Sequence, residues 1–312
     1  GDAGLGTDTY VVTLANYTTD TTSTVTVDMS GVVADTANQS AVTIDIDNEV
    51  TNKVSVTGSK GSNDTVNIDG ALDYSAKGLV LSGVEKMTID GSVTFDASTL
   101  SGQTITLASD NDATNETVTL SGTAAADTIT ISSVTYAAVV DADENPSVII
   151  DGGALGDTIT VAASTVTGDT TDVIALDQTD SATFASTTAT FISTAGMDVI
   201  TGLSTSDKID LSAYTAVGND TLGTGAIQTD VEQAVNDLTT TIVDNSHAAI
   251  RGDYDATAAT FTESATGADT LFAYDADDAA AATDFDAVVL VGLGANTFAT
   301  TAGEAAGEIT IA

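Results

Sequence analysis

The chain has no cysteine and no tryptophan, one proline, one histidine, and only six lysines and arginines in 312 residues. Each shortage excludes something. Without cysteine there is no disulfide, thiolate metal site or cysteine nucleophile. A single proline argues against a Pro-rich stalk or linker. His247 alone cannot build a zinc centre of the usual kind, and no His-Glu-x-x-His motif occurs. The longest apolar run, Ala287 to Leu293, is far short of the roughly 20 residues a membrane-spanning helix needs. Gly1-Asp2-Ala3-Gly4 offers neither the basic start nor the apolar stretch of a signal peptide. There is no initiator methionine, which reads as a fragment or a processed form with a portion upstream.

What the chain has in quantity is acid. Asp and Glu number 46, for a formal charge of -40 at pH 7. Charge of one sign on this scale opposes compaction, and a hard divalent cation held by oxygen ligands relieves it. A phosphate backbone would meet a negative surface, so nucleic acid is not an expected partner. An anionic membrane could be met only through bridging cations. The charged fraction is only 17%, and hydrophobic residues reach 42% with β-branched types abundant, a composition of folded β protein rather than acidic disorder.

Residues 1 to about 190 alternate apolar and polar along short segments. Examples are Ser23 to Asp28, Ala41 to Asp47, Gln103 to Leu107 and Asp127 to Ile131. Gly, Asn, Asp and Ser clusters separate them, and no helical period intervenes. Strands joined by short turns without crossover helices predict an irregular parallel β-solenoid, like a β-roll; an antiparallel sandwich is the rival. One segment differs. Val231, Val235, Leu238 and Ile242 form a helical stripe, with Thr229 and Glu232 spaced as a capping box, so a helix is expected from about Asp230 to Val243. After it, residues 248–252, 257–262, 269–274 and 288–291 predict an antiparallel meander. The expected organisation is a solenoid over 1–190 and a C-terminal β domain over 191–312.

Glycines and carboxylates recur together at the strand mouths. Gly58 to Val66 contains Asp64, Gly122 to Ile129 contains Asp127, and Gly152-Gly153-Ala154-Leu155-Gly156-Asp157-Thr158-Ile159 comes nearest to the calcium β-roll pattern G-G-x-G-x-D-x-U-x. A Gly-rich turn lets carbonyls and a carboxylate converge on a cation. The alternative is a plain Asx turn. Asp275-Ala276-Asp277-Asp278 starts like a calcium loop but lacks the turn glycine and the closing Glu.

Gly196 to Leu203 followed by Ser206 to Ser212 resembles the C-terminal domain of bacterial RTX proteins exported by type I secretion. Thr270 to Asp277 and Phe285 to Gly292 look like its later strand pair. Leu81 to Ile89 is similar to strand repeats of RTX-type surface-layer proteins. The resemblance implies a calcium-bound β-roll, a C-terminal secretion signal, folding outside the cell and, for surface layers, a lipopolysaccharide anchor. Intact tandem nonapeptides are missing. The candidate Ca2+ ligands are Asp64, Gly122, Asp127, Gly153, Gly156, Asp157, Asp198, Asp207, Asp210, Asp269, Asp275 and Asp277.

No enzyme is expected. A Ser-His-Asp site would have to use His247, and no tryptophan offers a sugar-stacking platform. The expected function is structural: a secreted, calcium-dependent protein that assembles with itself in a surface layer or extracellular matrix. The alternative is the secretion and folding module of a longer RTX adhesin or enzyme.

Overall fold

A computed structural model describes residues 9–15, 23–32, 41–47, 50, 52–70, 72–75, 78–109, 116–131, 134–136, 147–161, 173–175, 191–193, 197–205, 207–210, 247–275, 285–296, 298–299 and 308–312. The helix expected over 230–243 lies outside them. The described elements are β-strands, numbered here in chain order, apart from one 3-10 turn at Ala97–Thr99. The fold is all-β and its sheets are mostly parallel. The chain divides into two compact units. The first comprises Gly1–Ser121, Ser133–Val148 and Thr165–Thr170; the second comprises Gly122–Ser132, Ile149–Ser164 and Thr171–Ala312.

In the first unit, one parallel sheet runs in the order β1 (Thr9–Leu14), β3 (Ala41–Ile46), β5 (Thr65–Asp69), β8 (Lys86–Asp90), β10 (Ile105–Ser109) and β13 (Val134–Tyr136). A second runs β2 (Thr24–Asp28), β4 (Lys53–Thr57), β7 (Leu79–Ser82). A third runs β6 (Leu72–Tyr74), β9 (Val93–Asp96), β11 (Thr117–Thr123). Consecutive strands enter different sheets, and each new circuit stacks its strands on those of the last, a solenoid-like arrangement.

In the second unit, β12 (Thr128–Thr130), β15 (Thr158–Thr160), β18 (Val199–Thr201) and β23 (Phe285–Val291) are parallel neighbours. The same sheet continues antiparallel through β22 (Asp269–Asp275), β20 (His247–Asp255), β21 (Thr260–Glu263) and β17 (Phe191–Ser193). This is the expected meander. Also in this unit, β14 (Ser147–Gly153), β16 (Val173–Ala175) and β19 (Lys208–Asp210) are parallel neighbours, followed by β25 (Glu308–Ile311) and β24 (Phe298–Ala299), which run antiparallel.

The alternation in the sequence explains the stacking. In β3 the inward positions Val42, Ile44 and Ile46 are buried while Thr43 and Asp45 between them are not. Register then places Ile44 beside Val66 and Ile46 beside Ile68. Val66 and Ile68 in turn lie beside Met87 and Ile89, and Met87 beside Leu107. A one-residue slip would turn every one of these side chains outward. Tyr74 and Phe95 stack within the same unit with ring centroids 6.1 Å apart, and Tyr74 Oη donates to the Val50 carbonyl at 3.4 Å. Burial pushes the Tyr74 phenol up to about 12.

Candidate functional site

The acid-bearing corners sit immediately before strands. Asp64 precedes β5, Asp127 precedes β12, Asp157 precedes β15, Asp198 precedes β18 and Asp207 precedes β19. All of these except Asp127 are buried. A carboxylate so placed must find donors.

It finds backbone amides. In the first unit, Asp64 Oδ1 accepts the Val42 N–H at 3.0 Å and the Ser59 hydroxyl at 2.9 Å, while Oδ2 accepts the Ser59 N–H at 2.5 Å. The Asp64 N–H in turn donates to Glu85 Oε2 at 2.9 Å. In the second unit, the Asp127 N–H donates to Asp157 Oδ1 at 2.6 Å, and the Asp157 N–H donates to Asp198 Oδ1 at 2.8 Å. Asp127 Oδ2 accepts the Thr123 N–H and hydroxyl at 2.6 and 2.8 Å. Asp207 Oδ2 accepts the Ser204 N–H and hydroxyl at 2.7 and 3.0 Å. Asp269 bridges two neighbouring strands, with Oδ2 on the Tyr254 N–H at 2.8 Å and Oδ1 on the Gly292 N–H at 2.9 Å.

At Asp157, as at Asp198, the second carboxylate oxygen is not engaged by an amide. Asp157 Oδ2 is buried and has no hydrogen-bond partner. In the adjacent circuit Thr123 supplies a hydroxyl and an amide; here Gly153 brings no hydroxyl, and its N–H turns to Asp151 Oδ1 at 3.0 Å. Burial raises the Asp157 carboxyl to about 6; the Asp127 N–H opposes this, and the charges of Asp127 and Asp151 add to it. Glu85 is also raised, first by burial, with the Asp64 N–H opposing and the Asp64 charge adding.

The glycines make room for this contact. A methyl on Gly122 would collide with the Gly152 carbonyl, and one on Gly152 would collide with the Asp157 carboxylate. Gly153 also has φ +88, a conformation natural to glycine.

No family model matches this chain, and no curated protein or solved structure matches it.

Of the residues predicted from sequence, the structure brings Gly122, Asp127, Gly153, Gly156, Asp157 and Asp198 to one series of corners in the second unit. Asp64 belongs to a separate series in the first unit, Asp207 to the mouth of β19, and Asp269 to the antiparallel part of the sheet. Asp210 is not at a corner: it lies within β19, opposite Glu308 of β25. Asp275 ends β22, and Asp277 lies outside the described residues. Glu85, Ser59, Thr123 and Ser204 were not among the predicted site residues. Their signal was present: a hydroxyl three to five residues before the acid in Ser59/Asp64, Thr123/Asp127 and Ser204/Asp207, and an acid directly before an alternating strand in Glu85. Arg251-Gly252-Asp253, an integrin-type tripeptide by sequence, lies inside β20. Arg251 Nε donates to the Gly267 carbonyl at 2.7 Å, and Asp253 Oδ1 accepts the Ala268 N–H at 3.1 Å.

A calcium ion takes about six to eight oxygen ligands. The corners instead aim N–H groups at their carboxylates, and among the described residues no three acidic or imidazole groups converge as a metal site. At Asp64 and Asp269 both carboxylate oxygens are thus turned to N–H groups. The outward carboxylates are different. Asp69 and Asp90 are exposed and face one another across the β5–β8 ladder. Like charges so opposed repel.

Proposed function

We propose that this chain is a structural protein of the bacterial cell surface or extracellular matrix, which assembles with copies of itself when Ca2+ screens and bridges its outward carboxylates. The observation that carries this reading is the -40 charge on a stack of parallel strands. Two such surfaces repel until cations intervene, and Asp69 opposite Asp90 supports the reading, since like charges so opposed repel and a divalent ion would relieve them. Extracellular calcium, at roughly millimolar levels, suits weak sites with Kd of about 10⁻⁴–10⁻³ M. The resemblance to RTX surface-layer proteins supports secretion by the type I route and a cell-surface polysaccharide as anchor. As a structural element the protein needs no catalytic group.

Light scattering during a calcium titration tests this. The expected result is growth of large particles at millimolar calcium and their dissolution by EGTA. A chain that stays monomeric throughout would instead support the secretion and folding module of a longer protein.

A further inference from the structure

The corner acids share one rule of position. The ladder sets Thr43 beside Thr65 and Thr65 beside Lys86, so the residues one step earlier, Val42, Asp64 and Glu85, form their own row. Likewise Thr128, Thr158 and Val199 are neighbours, and Asp127, Asp157 and Asp198 form the row before them. Within each row the N–H of the earlier circuit meets the carboxylate of the later one, across sequence separations of 22, 21, 30 and 41 residues. The carbonyls of the same row close the pattern. Asp64, Asp127, Asp157 and Asp198 accept from Lys86, Thr158, Val199 and Val289 respectively, at 2.8 to 3.0 Å. Both backbone groups of Asp64, Asp127 and Asp157 are thus satisfied by the circuit that follows. Where the next circuit offers no acid, the pattern changes. Ile105 stands level with Glu85, and the Glu85 N–H turns back to the Asp64 carbonyl at 3.1 Å.

We infer that the acid preceding a strand is a register key: its carboxylate captures the one amide at its own level in the preceding circuit, and this, rather than calcium ligation, is the role of Asp64, Asp157 and Asp198; Asp269 likewise binds amides, but on both sides of its strand. The circuit lengths vary too much for loop length to set register. The key supplies what loop length does not, because a slip of one residue leaves a buried carboxylate and a buried amide unmatched. In these parallel rows recognition runs one way, from the later circuit back to the earlier. In the antiparallel part Asp269, the first residue of β22, instead accepts from both sides, from the Tyr254 N–H before it and the Gly292 N–H after it.

The two roles separate by substitution in the full chain. Both oxygens of Asp64 and of Asp269 face N–H groups, so Asp64→Asn and Asp269→Asn turn an amide donor onto a donor. Only Oδ1 of Asp157 is engaged, so Asp157→Asn keeps its bond to the Asp127 N–H and meets no opposing donor. Thermal unfolding at pH 7.5 is followed in excess EGTA and in millimolar calcium. The expected result is a Tm lowered by about 5 °C or more in Asp64→Asn and Asp269→Asn, in EGTA as well as in calcium. Asp157→Asn melts at or above the wild-type temperature. Any calcium-induced shift of the wild type is retained in all three. Loss of that shift in the variants, or an Asp157→Asn chain as unstable as the other two, overturns the inference. If Asp64→Asn does not fold, Asp269→Asn and Asp157→Asn make the comparison. Because unfolding rather than assembly is read, the result stands even if calcium produces no particles.

Discussion

Asp157 is a residue held under electrostatic stress. It is buried, one oxygen is unpartnered, and its carboxyl is raised from 3.8 to about 6. A folded-state value above the unfolded one means that the folded protein binds the proton more tightly. The contribution is fully present below the unfolded value, declines as pH rises through about 6, and is gone above it. Wild type should therefore gain stability relative to Asp157→Asn as pH falls from 7.5 to 4. Melting curves of the two proteins across that range check this, and a constant difference would be the contrary result. The Asp was visible in the sequence, as was its glycine-rich approach. Its discomfort was not, because it follows from Gly153 standing where the neighbouring circuit has Thr123, and that equivalence exists only after stacking.

At the scale of elements, the strands were legible because burial on one face imposes a period of two. Ala41 to Asp47 became β3 and Ser23 to Asp28 became β2, each within a residue or so. The meander was legible for the same reason. Which strand neighbours which was harder to read, since parallel partners are separated by whole circuits of unequal length. Close approach between circuits depends on corners without side chains. Gly122→Ala should cost about 1–3 kcal/mol, since its methyl meets the Gly152 carbonyl, which belongs to a backbone that cannot step aside. Chemical denaturation of the variant measures the loss. The Asp127 carboxylate lies 3.2 Å from the same point, so the substitution also crowds its bonds to Thr123.

For the molecule as a whole, charge dominates. With a formal charge of -40, stability should rise with ionic strength before specific cation effects enter. Melting in sodium chloride from about 10 mM to 150 mM, over which the screening length falls from about 30 to 8 Å, is expected to raise Tm steadily in EGTA. A flat response would mean that the acids are too far apart to repel. If calcium promotes particles beyond what equal ionic strength of sodium achieves, bridging rather than screening is at work.

The sequence by itself determined the all-β class, the inward faces of the strands, the antiparallel meander and the clustering of acid with glycine at strand mouths. These follow from local physics: side-chain alternation, turn-forming residues and formal charge, all read along the chain. Only the tertiary structure decided what the corner acids touch. A carboxylate near a glycine can hold a cation or an amide, and the choice depends on whether oxygen ligands or N–H groups arrive from the neighbouring circuit. Here N–H groups arrive, brought by residues 21 to 41 positions away.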